Sequence, residues 1–175
     1  MSETHEALGR DLVTAALLRG TFLLRSGAQS SYYLDKYLFT TQPDLLRRIA
    51  VELAERLPAD VQRLAGPVLG AVPLVTALSL HTGLPSLIVR VDTPKDYGTS
   101  KRIEGSLVAG ERVVLVEDVV TTAGAALAAV EVLREAGAEV LGALVVVDRE
   151  EGGAAAFAAA GVPFQALFTR SSLGL

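Results

Sequence analysis

Glu117 and Asp118 are adjacent carboxylates near the end of an apolar run, VVLVEDVVTTAGAAL from Val113 to Leu127. Buried charge is costly unless it is paired or binds something. A carboxylate pair at the C-terminal end of a parallel strand stands where open α/β sheets take up ligands. The turn that follows, Thr121-Thr122-Ala123-Gly124, offers hydroxyls and backbone N–H groups at the start of an Ala-rich helix, and such a start attracts anions. Acids beside a phosphate cradle suit a sugar phosphate, whose hydroxyls or bound Mg²⁺ meet the carboxylates. The chain contains no GxxxxGK[ST] and no GxGxxG, so neither a Walker A loop nor a dinucleotide fingerprint is present.

Three other segments belong with this one. Gly66-Pro67-Val68-Leu69-Gly70-Ala71 is a glycine-bearing turn before a helix, suited to diphosphate. Asp92 to Ser106 is the longest polar stretch and reads as a mobile loop. Asp148-Arg149 closes an apolar run and offers a guanidinium fork to a carboxylate or imide. The lysines are Lys36, Lys95 and Lys101, in a chain whose other basic residues are all arginine. A lysine kept among arginines points to a place arginine cannot fill, which draws attention to Lys95.

The elements that must position these residues follow from periodicity. A helix is expected from about Glu3 to Arg19, with Leu8, Leu12, Ala15, Ala16 and Leu18 on its apolar side. Short strands are expected at Phe22 to Leu24 and Ser30 to Leu34. A helix starts at Pro43 and runs to about Arg56. Strands at Leu64–Leu69, Ser86–Val91, Val113 onward, Val140–Val147 and Pro163–Phe168 then alternate with helices at Pro73–His81, from the Thr121 turn to about Ala136, and at Ala154–Ala160. Continuously apolar strands alternating with helices make an α/β fold, a central parallel sheet covered on both faces. The N-terminal part, about residues 1–62, is expected to contribute a small cap over the sheet's C-terminal edge, and residues 63–175 the core, within one domain.

At 175 residues, 50% hydrophobic, the chain can bury a core without staples. Cysteine is absent, which excludes disulfides and thiolate chemistry, and His5 and His81 are too few for a histidine-rich metal site. The net charge of −4 and the absence of a basic block argue against nucleic acid as partner. No apolar run of transmembrane length and no signal-peptide core occur, so the expectation is a cytoplasmic protein with no membrane partner.

EDVVTTAG resembles the phosphoribosyl-diphosphate (PRPP) motif of type I phosphoribosyltransferases. Other segments narrow the resemblance to orotate phosphoribosyltransferase. They are FLLRSGAQSSYYLD (Phe22 to Asp35), GPVLGAVPL (Gly66 to Leu74), PKDYGTSKRIEG (Pro94 to Gly105) and VVVDREEGG (Val145 to Gly153). The resemblance covers nearly the full chain in family order. It implies the type I phosphoribosyltransferase fold with an N-terminal hood, and transfer of a phosphoribosyl group from PRPP to orotate with Mg²⁺ as cofactor. It implies catalytic roles for Lys95, Glu117 and Asp118, the two acids holding ribose hydroxyls. PRPP contacts are implied for Arg25, Arg90, Lys95, Tyr97, Lys101, Glu117 and Asp118. They are implied too for the run Val119, Val120, Thr121, Thr122, Ala123, Gly124 and Ala125. Orotate contacts are implied for Tyr33, Thr121 and Arg149. A homodimer is implied, with the mobile loop shared between subunits. The chain departs from the family pattern where a diphosphate-loop lysine is replaced by Gly70, where Arg90-Val91-Asp92-Thr93 stands for an Arg-Lys start, and where a loop histidine is Tyr97. The alternatives are a phosphoribosyltransferase for another base, and a non-catalytic PRPP-sensing regulator.

Overall fold

The computed structural model describes residues 3–23, 29–91 and 101–175. Arg25, Asp92, Lys95 and Tyr97 therefore lie outside the described residues. The chain opens with helix α1 (Glu3–Ala16), a hairpin of β1 (Leu17–Leu23) and β2 (Gln29–Leu34), and helices α2 (Lys36–Thr40) and α3 (Pro43–Ala54). There follow β3 (Arg63–Pro67), α4 (Ala71–Thr82), β4 (Ser86–Val89), β5 (Ile103–Glu104), β6 (Arg112–Val120) and α5 (Gly124–Glu135). Last come β7 (Glu139–Asp148), α6 (Gly153–Ala159) and β8 (Phe164–Thr169).

Six strands form one sheet in the order β5-β4-β3-β6-β7-β8. Strands β4, β3, β6, β7 and β8 run parallel, and β5 pairs antiparallel with β4 at the edge. The continuously apolar strands are buried on both faces. Leu8, Leu12, Ile49, Leu53, Leu74 and Leu78 from α1, α3 and α4 pack on one face with Val114 and Val116. Ala126, Ala129, Val130, Leu133 and Phe157 from α5 and α6 pack on the other with Val113 and Leu115. Three layers result, and they shield the parallel ladders from water on both sides.

The N-terminal part departs from expectation at the end of its first helix. The helix stops at Ala16 instead of continuing to Arg19, because Leu17 and Leu18 pair across to Leu34 and Tyr33 in the hairpin. Strand pairing overrides a helical period that the sequence carries on for another turn. Helices α1 and α3, together with Leu34 of β2 and Phe39 of α2, pack into the core of one sheet face. Asp35 caps α2 by accepting the Tyr37 N–H at 3.0 Å, and its own N–H donates to Ala16 O at 2.9 Å. This junction fixes the direction in which Lys36 and Tyr32 leave the cap.

Candidate active site

The unit β3–α4–β4 runs to one side of the sheet and β6–α5–β7 to the other, so the strand order reverses between β3 and β6. The C-terminal ends of those two strands flank the crevice in which open α/β sheets bind ligands. Strand β6 brings Glu117 and Asp118 to it, and β3 brings the Val68–Gly70 turn.

Asp118 is 1% exposed and Glu117 8% exposed. Asp118 Oδ1 accepts the Val119 N–H at 2.6 Å, and Glu117 Oε1 accepts the Asp118 N–H at 3.0 Å. Burial, then the neighbouring Asp118 charge, pushes Glu117 up to about 8. Burial also raises Asp118, against the pull of Lys36, and the contact between the two carboxyls leaves the proton on Glu117. The Lys36 ammonium lies 3.1 Å from Asp118 Oδ2, although its hydrogen bond is aimed at Oδ1 at 3.4 Å. Asp118 Oδ2 is thus in ionic contact yet has no aligned hydrogen bond. Burial acts to lower Lys36, but the Asp118 carboxylate outweighs it and holds the ammonium above its usual range. A Cβ on Gly70 would fall 1.7 Å from Asp118 Oδ2, so the β3 turn requires glycine for the carboxylate to lie against its backbone.

Ala123 adopts a left-handed conformation (φ 65°, ψ 5°) as the residue before α5. That conformation costs a non-glycine residue about 1–2 kcal/mol, and it turns the backbone sharply into the helix. Thr121, Thr122, Gly124 and Ala125 are exposed around it, while Val120 is buried and Val119 half-buried. No atom lies within 4 Å of where a Gly124 Cβ would be, so the mouth of the turn is open. Exposed hydroxyls and free helix-start N–H groups form an anion cradle.

The turn after β7 packs on this cradle. The Arg149 N–H donates to Val120 O at 2.9 Å, and a Cβ on Gly153 would fall 2.4 Å from Val120 Cγ1 and 2.9 Å from Thr121 O. Asp148, buried, accepts the Glu150 N–H at 2.9 Å and shapes the turn. The Arg149 side chain is 11% exposed and pairs with Glu151 at 3.0 Å, while its Nε is buried without a hydrogen-bond partner. A buried donor without an acceptor marks a place for a ligand acceptor. The Tyr32 ring lies 5.5 Å from the guanidinium.

The structure brings together Glu117, Asp118, the Val119–Ala125 run and Arg149. It does not bring Tyr33 to Arg149. Tyr33 is 38% exposed and lies tilted against Phe22 with ring centroids 5.7 Å apart, and Tyr32, its neighbour on the other face of β2, takes the inner place. Arg90 follows β4 and pairs with Glu104 at 3.4 Å. Lys101 is exposed, and the adjoining Arg102 pairs with Glu135 at 3.3 Å. Glu135 ends α5, about 17 Å along that helix from the cradle at 1.5 Å per residue. Lys36, whose residue type alone fits either a surface charge or a site, stands beside Asp118 in the structure.

A family model, phosphoribosyl transferase domain, matches residues 41–156. The chain is 47% identical over 173 residues to the orotate phosphoribosyltransferase of Halobacterium salinarum, covering 99% of this chain and 98% of that one. It is 47% identical over 160 residues to that of Methanocella arvoryzae, covering 91% of each. The crystal structure of Mycobacterium tuberculosis orotate phosphoribosyltransferase in complex with PRPP superposes with a TM-score of 0.83 at 32% identity, covering 98% of this chain and 99% of that one. An adenine phosphoribosyltransferase from Leishmania donovani, at 18% identity and a TM-score of 0.73, shares the fold. The acid pair, cradle and arginine turn thus stand in a chain that matches these relatives from end to end, and the chain belongs to the orotate phosphoribosyltransferases.

Proposed function

We propose that the protein transfers the 5-phosphoribosyl group of PRPP to orotate, giving orotidine 5′-phosphate and diphosphate. The observation that carries this is the juxtaposition of Arg149, buried with an unmatched Nε, against the Thr121–Ala125 cradle beside the Glu117–Asp118 pair. The cradle holds the 5′-phosphate. The carboxyls hold the ribose hydroxyls. Arg149 receives the orotate anion, with a tyrosine of β2 alongside.

Transfer breaks the bond from C1 of the ribose to diphosphate, which leaves with the electron pair, and joins C1 to a ring nitrogen of orotate, whose N–H proton is lost to the departing diphosphate or to water. Positive charge develops on the ribose and negative charge on the leaving oxygen. Carboxylate beside the ribose favours the first, and positive charge beside the diphosphate favours the second. Mg²⁺ fits as an ion carried by PRPP: it is satisfied by one or two carboxylates together with phosphate oxygens and water, and Asp118 and Glu117 are the acids that would face it. When bound, it neutralises charge on the diphosphate. Lys95, which lies outside the described residues, belongs to the same task.

The test is ultraviolet monitoring of orotate loss with PRPP and Mg²⁺, with uracil and adenine in parallel. PRPP-dependent loss of orotate alone supports the reading. Turnover of adenine or uracil instead moves the assignment to another base, and PRPP binding without turnover makes the chain a sensor.

The reading carries with it a homodimer whose sites borrow Lys95 from the neighbouring subunit. Mixing K95A with D118N, each nearly inactive alone, should then restore about a quarter of wild-type turnover, the statistical yield of one intact site in half of the dimers. No recovery, with subunit exchange verified, assigns Lys95 to its own subunit's site.

A further inference from the structure

We infer that Lys36 is a diphosphate-binding residue, held by Asp118 in the ligand-free protein and passed to the leaving group when PRPP enters. The inference rests on the PRPP-dependent transfer proposed above. It starts from a convergence of three elements. Lys36 opens α2, Asp118 lies near the C-terminal end of β6, and Gly70 closes the β3 turn. The Lys36 ammonium lies 3.1 Å from Asp118 Oδ2 and 2.8 Å from where a Gly70 Cβ would be. The space a side chain at position 70 would fill is therefore filled from the cap, by a cation.

This cation is poised to change partners. The Lys36 side chain is 35% exposed, so it stays accessible to a ligand while in contact with Asp118. Its ring contact, with Tyr37 at 5.7 Å, leaves the N–H donors free to turn. Asp118 is buried with Oδ2 lacking an aligned hydrogen bond, so it gains when a ribose hydroxyl donates to it. Once that hydroxyl arrives, the ammonium no longer has to neutralise Asp118 alone. The diphosphate of the same substrate, entering over the β3 turn at the start of the 12-residue α4, offers it several anionic oxygens. Lysine suits this exchange better than arginine, because a compact ammonium on a flexible stem can turn between two acceptors. Among the described residues, Lys36 is the cation within reach of both Asp118 and the β3 turn.

The test is calorimetric titration of wild type, K36Q and K36R with magnesium diphosphate and, separately, with ribose 5-phosphate, alongside steady-state kinetics of orotate turnover. K36Q should weaken diphosphate binding about 10- to 100-fold, the loss of a charge-assisted contact. It should raise KM for PRPP comparably and leave ribose 5-phosphate binding within about threefold. K36R should recover most of the diphosphate affinity. Equal weakening of both ligands would overturn the inference, since Lys36 would then only hold Asp118 in place. Unchanged diphosphate affinity would overturn it as well. Lys36-dependent diphosphate binding in a wild type that turns over no base would instead defeat the transferase reading and leave the site standing. Thermal melts establish that each variant is folded.

Discussion

Single residues in this site are defined by what they lack. Arg149 Nε and Asp118 Oδ2 are buried polar atoms without aligned partners, on the turn after β7 and near the end of β6. An unmade buried hydrogen bond costs about 1–3 kcal/mol, so both atoms gain when a ligand supplies the missing partner. The tyrosine pair shows the same precision. Alternation along β2 puts Tyr32 inward against Arg149 and Tyr33 outward against Phe22. The family resemblance points to Tyr33 as the orotate contact, whereas register with β1, which residue types do not encode, turns Tyr32 inward. Y32L should raise KM for orotate about three- to tenfold, the value of a desolvated cation–π contact, while Y33L changes it less than twofold. Steady-state kinetics of the two variants decide it, and the reverse ranking would return the inner place to Tyr33.

At the scale of elements, the cradle and the arginine turn act as one piece because Gly153 lets them touch. G153A forces a methyl against Val120 and the Thr121 carbonyl, and should destabilise the fold by about 1–3 kcal/mol. G124A meets open space at the start of α5 and should leave stability unchanged or slightly higher, while weakening ribose 5-phosphate binding by occupying the phosphate's approach. Denaturant midpoints and phosphate-ligand titrations separate the two effects. These glycines were visible in the sequence, but their neighbours were not. The same holds for other elements. Strands β6 and β7 were legible because their continuous apolar runs admit only a buried parallel strand. Helix α2 was not, because five residues carry no period and only Asp35 hints at a cap. Strand β5 was not, because two residues in a polar stretch pair only once β4 is beside them. Lys36 was ambiguous for the same reason: its partner is 82 positions away, and only the finished fold brings them together.

For the whole molecule, the site is a cost that the fold sustains. Glu117 is held protonated up to about 8, chiefly by burial. The folded state therefore keeps a proton that the unfolded chain releases near pH 4.5, and stability from this group is full below that pH and falls as pH rises toward 8. Thermal midpoints of the ligand-free protein across this window should fall more steeply for wild type than for E117Q, which keeps the shape and loses the titration. Parallel curves would mean that Glu117 is already ionised in the folded protein. Three layers of core on both sheet faces stand behind this cost, and they put the acids, the cradle and the arginine on one edge of one sheet.

The central claim is that this edge divides its labour, Asp118 serving PRPP and Arg149 serving orotate. The direct measurement is the KM for each substrate in D118N and R149M. D118N should raise KM for PRPP at least tenfold with KM for orotate within threefold, and R149M should do the reverse. If both variants impaired both substrates equally, or if R149M left orotate kinetics unchanged, the division of the crevice described here would be contradicted.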